Sequence, residues 1–170
     1  MLCAPSMRLA WFGLVAAGLL WGRSAGAQSV GLGVRASSVR YEESQHSEGL
    51  GALARLRLPY FELELELGHE PHAGSDRADT RLGAGLLVPV GFAGLRPYVV
   101  AAGGANRVTM PGLEPVTQWY VSGGGGLALD LISRRLAIGL DVRYTIRRAG
   151  GERFAREEAI EGRVTGVVYF

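Results

Sequence analysis

The sequence predicts an all-β protein, an eight-stranded antiparallel up-and-down barrel that crosses a membrane, preceded by a cleavable leader. Three observations predict it. Beyond the first 27 residues, apolar and polar side chains alternate with a period of two, as they do when successive side chains point to opposite faces of a sheet. The segments between these stretches are too short for a parallel crossover, so neighbouring strands run antiparallel. The polar face carries full charges of both signs in the middle of the strands, as expected of an interior that pairs its own charges.

Residues 1–27 read as a secretory signal. Arg8 precedes the apolar run Leu9 to Gly22, and Ala25-Gly26-Ala27 forms an A-x-A cleavage pattern with Gln28 as the new N-terminus. The run is short for a helical span of about 20 residues. Cys3 is the only cysteine and leaves with the leader, which excludes disulfides and cysteine-ligated metals from the mature chain. Residues 28–170 make one domain. All 18 basic residues are arginine, and once Arg8 and Arg23 are set aside the rest equal the 16 acids. The basic balance of the whole chain is therefore no argument for nucleic-acid binding.

The first strand spans about Val30–Arg40, with Val30, Leu32, Val34 and Ala36 opposite Gly31, Gly33, Arg35 and Ser37. Tyr41–Gly49 is polar and reads as a loop. Residues 50–67 form a hairpin about Pro59-Tyr60: Leu58 opposes Phe61, so Arg57 faces Glu62 and Arg55 faces Glu64. Opposite charges directly across a hairpin support that register. One face (Leu50, Ala52, Ala54, Leu56, Leu58, Leu63, Leu65, Leu67) is apolar; the other carries Arg55, Arg57, Glu62, Glu64 and Glu66.

Glu70–Asp79 is the next polar loop, broken by Pro and Gly. The fourth strand, Thr80–Val88, places Arg81 on the face opposite Leu82, Ala84 and Leu86. The fifth, Arg96–Ala105, has two faces of similar polarity and cannot be oriented. Asn106–Thr117 reads as a third polar loop. The sixth strand, Gln118–Leu131, sets Trp119, Val121, Leu127 and Leu129 against Gln118, Tyr120 and Asp130. Its Gly123–Gly126 run lacks the following helix and the lysine of a phosphate-binding loop, and reads as glycine relieving crowding in a curved strand. The seventh, Leu136–Ile146, alternates cleanly and places Asp141 and Arg143 on its polar side. Arg147–Glu158 is a mixed-charge fourth loop, which balancing acids favour as solvated over a phosphate dock. The eighth strand, Ala159–Phe170, places Glu161 and Arg163 opposite Ile160, Val164, Val168 and Phe170.

A soluble barrel would turn the apolar face inward, and a transmembrane barrel outward. Six arginines (Arg35, Arg55, Arg57, Arg81, Arg143, Arg163) against six acids (Glu62, Glu64, Glu66, Asp130, Asp141, Glu161) fit a self-neutralising interior. Strands of about 9–11 residues fit a tilted crossing. Aromatics at strand ends (Tyr60, Phe61, Phe92, Tyr98 and Phe170, with Tyr41, Trp119 and Tyr144 at the other rim) read as two interfacial girdles. Eight strands enclose a space that side chains can fill, so the charge pairs are expected to plug the barrel.

The Ala25-Gly26-Ala27 leader end, the RPYVVAAGGA, GGGGLALDL and LAIGLDVRY strands and the last strand ending in Phe170 carry a resemblance. The chain resembles the small eight-stranded outer-membrane β-barrels of Gram-negative bacteria, of the OmpA/OmpX type. The resemblance covers residues 28–170. It implies an outer-membrane location with both termini periplasmic and four loops outside the cell. It implies that Ile160, Val164, Val168 and Phe170 form the signal read by the barrel-assembly machinery. It implies lipid and lipopolysaccharide as surroundings and a monomer as the working state. The sequence ends at Phe170, so the peptidoglycan-binding domain of longer relatives is not expected.

The role expected on these grounds is structural or interactive, in envelope integrity or surface contact, with no cofactor, metal or nucleic acid. A narrow solute channel is the second reading. A lipid A-modifying enzyme is the third: His46 with Ser75 and Asp76 echoes the palmitoyltransferase barrels with Ser and Asp reversed, and no His follows His72 for a deacylase. A soluble lipocalin-like binder is a minor fourth. His69-Glu70-Pro71-His72 is an incomplete metal set in a Pro-containing loop.

Overall fold

The computed structural model describes residues 29–41, 46–90, 95–132, 135–149 and 156–170. The expected leader, Phe92, and Arg153 of the fourth loop lie outside the described residues. Eight strands follow in order: β1 Ser29–Tyr41, β2 His46–Arg57, β3 Glu62–Pro71, β4 Ala78–Pro89, β5 Leu95–Thr109, β6 Val116–Leu131, β7 Leu136–Ala149 and β8 Glu157–Tyr169. Each pairs antiparallel with the next, and β8 closes on β1. Closure removes both sheet edges, so the backbone polar groups find partners within the wall, a condition for crossing lipid.

The β2–β3 register is the one the charges require, with Arg57 opposite Glu62 and Arg55 opposite Glu64. The Leu58 N–H donates to the Phe61 carbonyl across the turn at 2.9 Å. The next two short connections, β4–β5 and β6–β7, lie at the same end (the turn end). The β1–β2, β3–β4, β5–β6 and β7–β8 connections lie at the opposite loop end.

The faces sort by solvent in the sense opposite to a soluble protein. Leu32, Val34, Leu65, Leu82, Val121, Leu140, Val142 and Ile160 are exposed on the outer wall, while Arg35, Arg81, Arg143, Glu64 and Glu161 are buried inside. An apolar surface that continues around the whole wall is far larger than a soluble monomer tolerates. It meets lipid, and the molecule is a transmembrane barrel. Strand β5, unoriented in the sequence, turns Tyr98, Val100, Asn106 and Val108 inward and Val99 outward.

Two expectations are corrected. The strands run further into the polar segments at the loop end than the sequence predicts. β2 begins at His46, β3 runs to Pro71, β5 to Thr109 and β7 to Ala149. The alternation persists there, but both faces are polar, so the apolar mark of a strand is lost. The aromatic girdles are also thinner than expected. Tyr60, Trp119, Tyr144 and Phe170 are exposed, but Tyr41 and Tyr98 are buried in the interior, where their hydroxyls find charged partners.

Inward glycines make the room that the large interior side chains occupy. A Cβ at Gly68 would collide with the Arg35 guanidinium, and one at Gly83 with the Tyr120 hydroxyl.

Candidate functional site

Among the described residues, charged and hydrogen-bonding side chains concentrate in the interior. Four layers of charge stack along the barrel axis. At the turn end, Arg57 Nε donates to Glu62 Oε1 (2.8 Å) and its Nη2 to Asp130 (3.1 Å). Arg96 donates to the same two carboxylates at 2.9 and 3.1 Å. The Tyr169 hydroxyl donates to Glu62, and the Arg57 guanidinium lies 3.9 Å over the Tyr169 ring.

The second layer centres on Glu64. It accepts from Arg55 Nε at 2.8 Å, Arg143 Nη2 at 3.1 Å and Arg163 Nη2 at 3.2 Å. Arg55 Nη2 is also 2.7 Å from Glu64 but off the hydrogen-bond direction, so the Nε bond carries this pair. Asp141 accepts from Arg143 Nε (2.7 Å) and from the Tyr98 hydroxyl (2.8 Å).

In the third layer Glu161 joins Arg35 (2.9 Å) and Arg81 (2.7 Å). Glu66 accepts from the Tyr120 hydroxyl and lies 3.0 Å from Arg163. Oppositely charged and hydrogen-bonded neighbours are what make burial of these groups tolerable.

The fourth layer, at the loop end, is the one sequence reasoning missed. Glu70 gathers Arg35, Arg81 and Arg147 at 3.4, 3.0 and 3.1 Å. Asp79 accepts from Arg147 (2.7 Å), Asn106 (3.0 Å) and both Nε and Nη2 of Arg77 (2.9 and 3.0 Å). Arg77 grips Glu157 with two further bonds of 3.0 Å, tying the β3–β4 connection to β8 across the mouth. Burial disfavours the Arg77 cation, but its bonds to Asp79 and Glu157 outweigh that and hold its pKa above the ordinary arginine range. His72 stacks on Tyr41 and sits 3.3 Å from Asp79.

All the charged residues assigned to the polar face from sequence point inward: Arg35, Arg55, Arg57, Glu62, Glu64, Glu66, Arg81, Asp130, Asp141, Arg143, Glu161 and Arg163. Arg57 and Asp130, at the turn end, keep slight accessibility. The structure adds Arg77, Arg96 and Arg147, and Glu70, Asp79 and Glu157, again in equal numbers. Arg147 was expected in a solvated loop; it is a fully buried strand residue. Its signal was present in the sequence, since Arg143, Thr145 and Arg147 continue one face of β7.

The other candidates separate. His69 faces outward while Glu70 and His72 face inward, so the histidine pair does not converge. Ser75 and Asp76 are exposed in the β3–β4 connection. Ile160, Val164, Val168 and Phe170 lie on the outer wall.

No protein-family model matches the chain, and no curated protein matches it in sequence. Solved structures do resemble it. Neisserial surface protein A aligns with a TM-score of 0.67 at 12% identity, over 86% of this chain and 100% of that one. The outer-membrane enzyme PagL aligns at 0.58 and 11% identity, over 80% and 98%. The N-terminal barrel domain of Pseudomonas aeruginosa OprF aligns at 0.53 and 18%, over 81% and 96%. At identities this low the likeness carries the fold, that of the small eight-stranded outer-membrane barrels, and nothing about activity.

Proposed function

Starting from a barrel of the small outer-membrane type, we propose that the protein resides in the outer membrane and acts there as a structural or interaction protein rather than a pore. The observation that carries this reading is the filled interior. Four layers of paired arginines and carboxylates occupy the space that a channel would need, and the Arg77–Asp79–Glu157 cluster spans the loop-end mouth. A permeating ion would have to displace pairs whose separated charges are costly in a dry interior. The lipid-facing belt and outward Ile160, Val164, Val168 and Phe170 fit insertion by the barrel-assembly machinery. The loops then face the cell exterior, and the working state is a monomer.

Fractionation with heat-modifiable gel mobility, followed by planar-bilayer recording, tests the proposal. It expects the protein in the outer membrane, faster migration before boiling than after, and no regular conductance steps. Recovery as a soluble periplasmic protein would overturn the location. Regular steps would overturn the sealed interior in favour of a narrow channel.

A further inference from the structure

The chain has three histidines, and only His72 lies inside the barrel; His46 and His69 are exposed. The His72 ring is buried at the mouth, stacked on Tyr41 with centroids 5.2 Å apart. Among the described residues neither ring nitrogen has an aligned hydrogen-bond partner, although Nε2 lies 3.3 Å from Asp79 Oδ2. That oxygen is already crowded. Arg147 Nη1, Asn106 Nδ2 and Arg77 Nη2 donate to it at 2.7, 3.0 and 3.0 Å. Ser47, opposite His72 across an antiparallel bridge, has a buried hydroxyl that is also without a partner. A protonated ring donates at both nitrogens. It would meet one acceptor that is filled and one hydroxyl that is idle.

Every neighbouring element contributes to the cluster around this ring. Tyr41 comes from β1, Ser47 from β2, Glu70 from β3, Asp79 from β4, Arg147 from β7, Glu157 from β8 and Arg77 from the β3–β4 connection. β5 and β6 add the neutral amides of Asn106 and Gln118. With the ring neutral, the inward arginines and carboxylates named above are equal in number. A proton on His72 leaves one positive charge unbalanced beside Arg77 and Arg147, where burial keeps salt from screening it. The two arginines are not equally held. Arg147 is a fully buried strand residue that also bonds Tyr41 and Glu70. Arg77 sits in a short connection, and its side chain keeps 10% exposure. Arg77 is therefore the one that yields toward water.

We propose that His72 is a proton-operated release for the loop-end mouth: when its ring takes up a proton, Arg77 leaves Asp79 and Glu157, and the β3–β4 connection parts from β8. Histidine is the side chain whose ordinary charge change falls between about pH 5 and 8, so mild acid is the signal. The three deeper layers contain no histidine, so the plug beneath the mouth stays closed. The inference goes beyond the structural role proposed above and does not depend on it.

Electron paramagnetic resonance of a nitroxide on the connection tests the release. Cys3 is the only cysteine, so Cys3→Ser gives a thiol-free background, and Ala73→Cys places the label at an exposed position beside His72. Detergent-folded protein should lose the immobilised component of the spectrum as the pH falls from about 8 to about 5. The midpoint should match that of the His72 ring signal in an NMR titration of the same protein. His72→Gln should abolish the response, and Arg77→Gln should give the mobile spectrum at both ends of the range. His46→Gln and His69→Gln should leave the response intact. Heat-modifiable mobility confirms that each variant is folded before it is measured. A spectrum that ignores pH, a response that survives His72→Gln or vanishes with either exposed histidine, or an Arg77→Gln label that stays immobilised would each overturn the proposal. Should His72→Gln fail to fold, the two midpoints in the unsubstituted ring decide, and unequal midpoints overturn it.

Discussion

Glu64 is the hub at which the interior is most exposed to test. Its carboxylate holds Arg55, Arg143 and Arg163, and it is almost completely buried. Glu64→Gln keeps the shape and removes one negative charge. Arg143 retains Asp141 at 2.7 Å, and Arg163 retains Glu66 at 3.0 Å. Arg55 is left with Glu62 at 4.0 Å, a distant and misaligned partner. The cost is therefore that of one orphaned buried arginine rather than three, about 3–5 kcal/mol. The double variant Arg55→Met/Glu64→Gln removes the orphan and restores neutrality, so it should recover most of that loss. Equilibrium urea unfolding in lipid vesicles gives both numbers. Trp119, the only tryptophan beyond residue 27, is exposed on the outer wall and reports insertion by its emission. A single variant that costs less than about 1 kcal/mol, or a double variant as unstable as the single, would refute the claim that paired charge fills and balances the interior.

Further predictions bear on the wall and the turns. Leu140→Arg places a charge on the outer face and should destabilise the barrel in vesicles by about 2–4 kcal/mol if that face meets lipid near the bilayer midplane; a negligible change would put the face in water. Gly83→Ala drives a methyl group into the Tyr120 hydroxyl and should cost about 1–3 kcal/mol in the same unfolding assay, with partial recovery in the Tyr120→Phe background. Ile132 holds φ at 46°, a left-handed conformation that burdens a β-branched side chain, so Ile132→Gly should stabilise by about 0.5–1 kcal/mol. An unchanged or lower midpoint for that variant would show that the turn carries no such strain.

Much of this architecture was legible in the sequence where one face was apolar and the other charged. The β2–β3 hairpin declared its register because Arg55 and Arg57 had only one way to meet Glu64 and Glu62. Strand β7 declared its faces by unbroken alternation from Leu136 to Ile146. Strand β5 did not, because Val99 and Val100, or Ala101 and Ala102, differ too little to choose a side; Arg96, Tyr98 and Asn106 choose it only once the barrel is closed. The loop-end layer was hidden for a related reason. Near Glu70, Asp79 and Arg147 both faces are polar, so a strand there has the composition of a loop. Partners far apart in sequence, such as Arg35 with Glu161, follow from closure and not from any local pattern.

That last pairing has a consequence for how the molecule comes into being. Glu70, on β3, gathers arginines from β1, β4 and β7, and Glu161 on the final strand joins Arg35 of the first with Arg81 of the fourth. No contiguous half of the sheet contains a complete set of these partners. A partly built sheet in lipid would hold bare charges that only the remaining strands can neutralise, so its free energy stays high until the last strand meets the first. Intermediates are penalised all along the route, and insertion and closure are driven to occur as one cooperative event.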